Sequence, residues 1–324
     1  MPKIPPAVMW NHTPLLESGL KHLFTGKVRE TYEIPSRPDV LLIVSTDRIS
    51  IFDVIINQTV KDKGAILTAL TTFWLREIIT GIVPNHLIAF GKQVNNFLPK
   101  PLSPEILKRA MIVRRLNMLP FEFIARGYLT GSGLKAYNEQ NRVVCGHLLP
   151  EGLHDGSRLS QPICTPTTKS QDGHDEHVNI SQIDSDIEKT VLDIYRFAQG
   201  FAEVRNIIIA DTKFELGHDC LNNRLTLGDE IFTPDSSRFW LKDEWIEART
   251  EGKSPPSGLD KQPVREWGKG VFDKINPENQ ADLDKAWNIV MPSEVIKQTT
   301  ERYRNIFKLL TRMELEEFQL KYGI

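Results

Sequence analysis

The chain has 324 residues, with 40 Lys and Arg against 42 Asp and Glu and a formal net charge of −2. Apolar residues make up 40% and charged residues 25%, an ordinary globular composition that excludes a disordered or fibrous protein. The near-neutral balance excludes a nucleic-acid binder working through a broad basic face, so an anionic ligand must be gripped by local cations.

The opening MPKIPPAVMW lacks the apolar core of a signal peptide, and apolar runs such as residues 40–44 are too short to span a bilayer. Cys145, Cys164 and Cys220 are sparse and form no CxxC pair, which suggests free thiols in a reducing compartment. A cytoplasmic protein without membrane or nucleic-acid partners is expected.

Up to about residue 115 the chain suggests short strands and one helix. Val40–Ser45 and residues 51–57 and 111–114 are β-rich. In residues 64–80, Leu67, Leu70, Trp74 and Ile78 recur at helical spacing. A boundary near residue 116 divides a β-rich part, 1–116, from a mixed part, 117–324, with a cleft between them. Residues 121–125 form another strand, feeding the glycine-rich turn Arg126-Gly127-Tyr128-Leu129-Thr130-Gly131-Ser132-Gly133. Residues 145–180 carry little period and suggest a long loop, a candidate lid. Ile183, Ile187, Val191, Ile194, Phe197, Phe201 and Val204 then mark a helix, begun at Ser185 with Glu188 as a capping box or at Ser181. Residues 206–217 and 224–232 read as a hairpin. Residues 249–262 are a polar loop and residues 293–318 a last helix.

The strongest chemical signal is Ile207-Ile208-Ile209-Ala210-Asp211-Thr212-Lys213-Phe214-Glu215-Leu216-Gly217. Period-2 alternation puts Asp211, Lys213 and Glu215 on one face and Thr212, Phe214 and Leu216 on the other. With Asn222–Asn223 at the tip of the turn, Glu215 faces Glu230, or Asp229 after a one-residue shift. Opposed carboxylates repel, and a divalent cation removes the repulsion; Mg²⁺ is commonly held by one or two carboxylates plus nucleotide phosphates. The competing reading is a surface hairpin with solvated charges. Asp235, Ser236, Ser237 and Arg238 form a polar cluster suited to phosphate or carboxylate, or a plain surface turn. Arg126 and Ser132 flank glycines that would let backbone N–H groups reach an anion, or mark a hinge. Gly26, Lys27 and Arg29 place two cations beside a glycine, although no P-loop pattern occurs. Lys169 is one more loop cation. His174 and His177 lack a partner cluster and suit a solvated loop, while Asp175 stays open.

The segments GKVRETYE, STDRISIFDV, KGAILTALTTFW, MIVRRLNMLPFEFIARGYLTGSG, LSQPICTPTTKSQDGHDE, IIIADTKFELG and GDEIFTPDSSRFW occur in order. They resemble the signature segments of the SAICAR synthetase family, from about Gly26 to Trp240, and the stretch between Lys242 and Met291 resembles the fungal monofunctional form. The resemblance implies an α+β fold: a β-rich lobe like the small lobe of protein kinases, then a larger ATP-grasp-like lobe. It implies a monomeric ligase that joins CAIR, a carboxylated aminoimidazole ribonucleotide, to L-aspartate with ATP and Mg²⁺, giving SAICAR, ADP and phosphate. By that resemblance Gly26, Lys27, Arg29 and Lys169 line the ATP phosphates, and Arg114 and Met118 border adenine. Glu215 and Asp229 carry Mg²⁺. Arg126, Ser132, Asp235, Ser237 and Arg238 hold CAIR. Asp211 and Lys213 act at the reacting centre, and Asp175 lies near CAIR or the incoming aspartate.

A carboxylate has no good leaving group, and ATP supplies one by making an acyl phosphate. Two anions must then be brought together by cations and shielded from water. A small-molecule kinase would share the ATP residues but give a phosphorylated product. A non-catalytic nucleotide binder would need the Asp211–Lys213–Glu215 set broken.

Overall fold

The computed structural model describes residues 2–169 and 176–324. The strands are β1 (Lys21–Thr25), β2 (Arg29–Glu33), β3 (Val40–Ser45), β4 (Arg48–Ile51), β5 (Val54–Thr59), β6 (Leu87–Phe90), β7 (Ala110–Arg114), β8 (Leu116–Met118), β9 (Phe121–Leu129), β10 (Val143–Val144), β11 (His147–Leu148), β12 (Ser157–Thr168), β13 (Ile207–Asp219), β14 (Leu225–Gly228) and β15 (Ser237–Leu241). One sheet has the order β1-β2-β3-β7-β6. A second runs β12-β9-β13-β14, and β13 also pairs with β15 and β8. The pairings between these strands are antiparallel, and the helices flank them in an α+β arrangement.

Alternation in β3 and β7 sends Leu42, Val44 and Ile112 into one core, shared with Leu15 and Tyr32, and Met111 and Val113 into another. That larger core includes Leu67, Leu70 and Trp74 from the first long helix, Phe123 and Phe214 from the second sheet, and Phe307 and Leu310 from the last long helix. Each such side chain contributes roughly 1.5–3 kcal/mol by leaving water. The two sheets therefore share packing, and the chain passes between them at residues 114–119.

Several elements differ from expectation. The helix at Lys63–Thr72 is buried at every position, so its apolar spacing marks one of several buried faces, and it continues as a π-helical turn at Phe73–Ile78. Residues 51–57 are interrupted at Phe52 and Asp53, whose φ of 48° and 64° turn the chain between β4 and β5. The 145–180 stretch is not one long loop, because β12 runs through it. Its prolines hid it, yet β12 is an edge strand pairing with β9, where a missing N–H costs little. The helix Ser185–Glu203 is capped by Asp184, which accepts from the Asp186 N–H at 2.8 Å, rather than by Ser185 or Ser181. It buries Val191, Ile194, Tyr195, Ala198 and Ala202 and leaves Phe197 and Val204 exposed. Arg312, at φ 59°, ends the helix Ser293–Thr311, and a shorter helix, Leu315–Lys321, follows.

Candidate active site

β13 lies at the centre of the second sheet, and its alternation is as expected. Thr212, Phe214 and Leu216 are buried in the core. Asp211 and Lys213 each meet an opposite charge on β9, and Glu215 meets one just past β12.

At Asp211, register pairs the strand with Arg126 on β9 and Arg238 on β15. Arg126 donates to Asp211 Oδ2 at 2.8 Å, to Thr165 Oγ1 at 2.8 Å and to Ser132 Oγ at 2.9 Å. Arg238 donates to the same Asp211 oxygen. The glycine-rich turn is in fact the end of β9 and the start of the helix Gly131–Glu139, with Gly131 at φ 55°. A Cβ on Gly131 would meet the Arg238 guanidinium at 2.4 Å, and one on Gly133 would lie 3.1 Å from Arg126. The glycines thus let two guanidiniums pack on the first turn of a helix whose N-cap, Thr130, makes no side-chain cap. Orphan N–H groups beside two arginines suit a phosphate.

Two residues further along, Lys213 donates to Glu122 Oε1 at 2.7 Å. Burial pushes the Lys213 ammonium down, but Glu122, Glu215 and Asp229 outweigh it and leave its pKa above the ordinary lysine value. Lys213 therefore stays charged. Lys169 donates to Glu215 Oε2.

The hairpin register differs from expectation: Glu215 faces Gly228, so the turn centres one residue earlier than Asn222–Asn223. β14 then ends, because Asp229 takes φ 54° and leaves the ladder. The carboxylates of Asp229 and Glu230 converge instead on Arg29, at 2.7 Å and 3.1 Å. Burial opposes the charge on Arg29, but Asp229, Glu230, Glu215 and Asp235 together hold its pKa above the usual value. Several carboxylates around one guanidinium form a place where positive charge is strongly favoured. Glu215 and Asp229 are carboxylates of the kind that, with phosphate oxygens, can hold Mg²⁺.

Other expected residues make contacts of their own. Gly26 and Lys27 form the turn between β1 and β2, and Arg48 donates to the carbonyls of both at 3.0 Å. Lys27 pairs with Asp53. Arg114 and Met118 are exposed on the passage between the sheets, with Arg114 3.8 Å from Asp219. Asp235 receives Lys63 at 2.6 Å and also Tyr303. Ser237 turns to the opposite face of the sheet from Arg238, its hydroxyl 2.7 Å from that of Thr212. Asp175 and His174 lie outside the described residues. His177 has Nδ1 3.1 Å from Cys145 Sγ.

Sequence reasoning missed Glu122, Thr165, Lys63 and Tyr303. Only Lys63, a cation opening an otherwise apolar helix, carried a local signal.

Arginines at a helix start and cations facing paired carboxylates define a site for two anionic ligands side by side, as in an enzyme that activates one phosphorylated molecule with another. Residues 22–281 match the family model described as SAICAR synthetase. A phosphoribosylaminoimidazole-succinocarboxamide synthase of Corynebacterium ammoniagenes is 42% identical over 310 residues, covering 93% of this chain and 97% of the relative. One of Mannheimia succiniciproducens is 41% identical over 308 residues, covering 92% and 100%. The solved Saccharomyces cerevisiae SAICAR synthase, complexed with SAICAR, is 32% identical with a TM-score of 0.75, over 91% of this chain and 96% of that one. The chain belongs to the SAICAR synthetase family. It is a ligase of purine biosynthesis that joins CAIR to L-aspartate at the expense of ATP. No helix among the described residues is long and apolar enough to cross a membrane.

Proposed function

We propose that the ligation runs through an acyl phosphate assembled along β13. Arg126, Arg238, Ser132 and the first turn of the helix Gly131–Glu139 take the sugar phosphate of CAIR. Lys27, Arg29 and Lys169 take the phosphates of ATP, with adenine against Arg114 and Met118. Glu215 and Asp229 hold Mg²⁺, which offsets phosphate charge when bound. Lys213, kept cationic between Asp211 and Glu215, sits where the carboxylate oxygen of CAIR meets the γ-phosphate.

The observation carrying this reading is the Asp211–Lys213–Glu215 alternation. One strand face leads from the paired arginines to the carboxylates around Arg29, with a lysine midway. Successive same-face residues on a strand are roughly 6.5–7 Å apart, the spacing needed to set two anions end to end. In-line transfer is mostly positioning and charge stabilisation, which these residues supply. Asp175 is proposed to lie near the aspartate amine.

A single copy supplies the cations and carboxylates named, which supports action as a monomer. The free thiols of Cys145, Cys164 and Cys220 support a cytoplasmic setting. The division at residue 116 belongs to the same proposal: it falls where β8 begins to pair with β13. An assay omitting ATP, Mg²⁺, CAIR and aspartate in turn tests the reading. Turnover should need all four, and a folded Glu215→Gln protein active without added Mg²⁺ would refute the metal assignment.

A further inference from the structure

Apart from the carboxylates around Arg29, one cluster among the described residues brings metal-ligating side chains from three segments together: His12, His22 and Glu30. Their ligand atoms lie within 4.8 Å of one another. His12 precedes the helix Thr13–Glu17, His22 is on β1 and Glu30 on the neighbouring strand β2.

The orientation of each group matters more than its proximity. His22 Nε2 and Glu30 Oε2 are 3.1 Å apart. Nitrogen and oxygen ligands of a tetrahedral zinc ion, each at about 2.1 Å, stand about 3.4 Å apart, so this pair is a few tenths of an ångström from ligand spacing. His12 Nδ1 is 2.8 Å from the hydroxyl of the fully buried Tyr32, which leaves Nε2 for an ion. A metal-bound histidine ordinarily holds such a partner on its other nitrogen. The His12 and His22 rings meet edge to face with centroids 4.3 Å apart. Glu30 is fully buried, and Arg48 fixes its Oε1 at 2.6 Å. Its Oε2 accepts from Thr25 Oγ1 at 2.7 Å and shares a proton with His22 Nε2 at 3.1 Å, the position that an ion would take over.

We propose that His12, His22 and Glu30 bind a divalent first-row transition ion of the zinc type, with water as the fourth ligand. Two imidazoles and one carboxylate favour such an ion over Mg²⁺, which prefers oxygen donors. Three protein ligands leave the coordination open at one position. The ion ties the N-terminal segment to the β1–β2 hairpin. It also reaches the Gly26–Lys27 turn through Arg48, whose guanidinium joins Glu30 to the carbonyls of both residues. His12 lies ahead of the residues matched by the family model, so one ligand comes from outside that stretch.

The test is calorimetric titration of the full chain with zinc chloride, with Mg²⁺ in large excess to fill the oxygen-rich site. The parent should bind one equivalent of zinc and gain thermal stability with it. His12→Ala and His22→Ala should each weaken zinc binding at least tenfold and lose the zinc-dependent rise in Tm. Tyr32→Phe, which keeps the three ligands, should weaken it on the order of tenfold. Melting without zinc shows whether each variant is folded before titration. No stoichiometric zinc uptake by the parent, or an affinity unchanged in either folded histidine variant, overturns the proposal.

Discussion

The ammonium of Lys63, fully buried, donates to Asp235 Oδ2 at 2.6 Å, joining the first long helix to the turn before β15 across 172 residues of sequence. Tyr303 takes the other carboxylate oxygen. Removing one member of a buried pair strands the other charge. Lys63→Met should therefore lower stability by about 3–5 kcal/mol in denaturant unfolding, and Lys63→Met with Asp235→Leu should recover most of it.

Acid should attack the same contact. Burial pushes the Asp235 carboxyl up, but Lys63 and Lys261 outweigh it and hold its pKa below the ordinary aspartate value. Its stabilising contribution is complete above the unfolded value of about 3.9 and is lost as pH falls through the lower folded value. Acid unfolding of the Lys63→Met protein should lack this component, and an identical acid limb in parent and variant would count against it.

His86 should act in a different window. Burial, opposed by Asp229 and aided by Arg29, pushes its imidazole down to about 4. Between about pH 6.5 and about 4 the unfolded chain binds a proton that the folded chain refuses. Stability should thus fall as pH drops through that range and level off below it. Urea unfolding against pH should show a shallower slope there for His86→Leu than for the parent.

Arg238→Lys should raise the KM for CAIR at least tenfold, about 1.4 kcal/mol, with the KM for ATP little changed, since a lysine cannot give the two-pronged grip of a guanidinium. Arg29→Lys should do the reverse. Steady-state kinetics with each substrate varied separates the two, and equal effects on both KM values would argue against distinct anion sites.

Much of this site was legible in the sequence because period-2 patterning is local. The alternation of Asp211, Lys213 and Glu215 needed only the strand. What lay beyond reach was the partner of each charge. Glu122 meets Lys213 through the register of β9, and Lys63 meets Asp235 only after two distant segments pack. The hairpin shows the same limit. A four-residue turn at Cys220–Asn223 and the left-handed Asp229 moved the carboxylates to Arg29, a choice that spacing alone does not make. β12 was hidden because prolines are disfavoured in strands generally but tolerated at an edge.

The central claim is that the carboxylate of CAIR is phosphorylated before aspartate attacks. If so, one carboxylate oxygen leaves with the phosphate when the amide forms. Turnover of CAIR labelled with heavy oxygen in its carboxylate, followed by mass analysis of the released phosphate, tests this most directly. The account predicts one labelled oxygen per phosphate and one kept in the amide; unlabelled phosphate, with the lost label appearing in water, would contradict it.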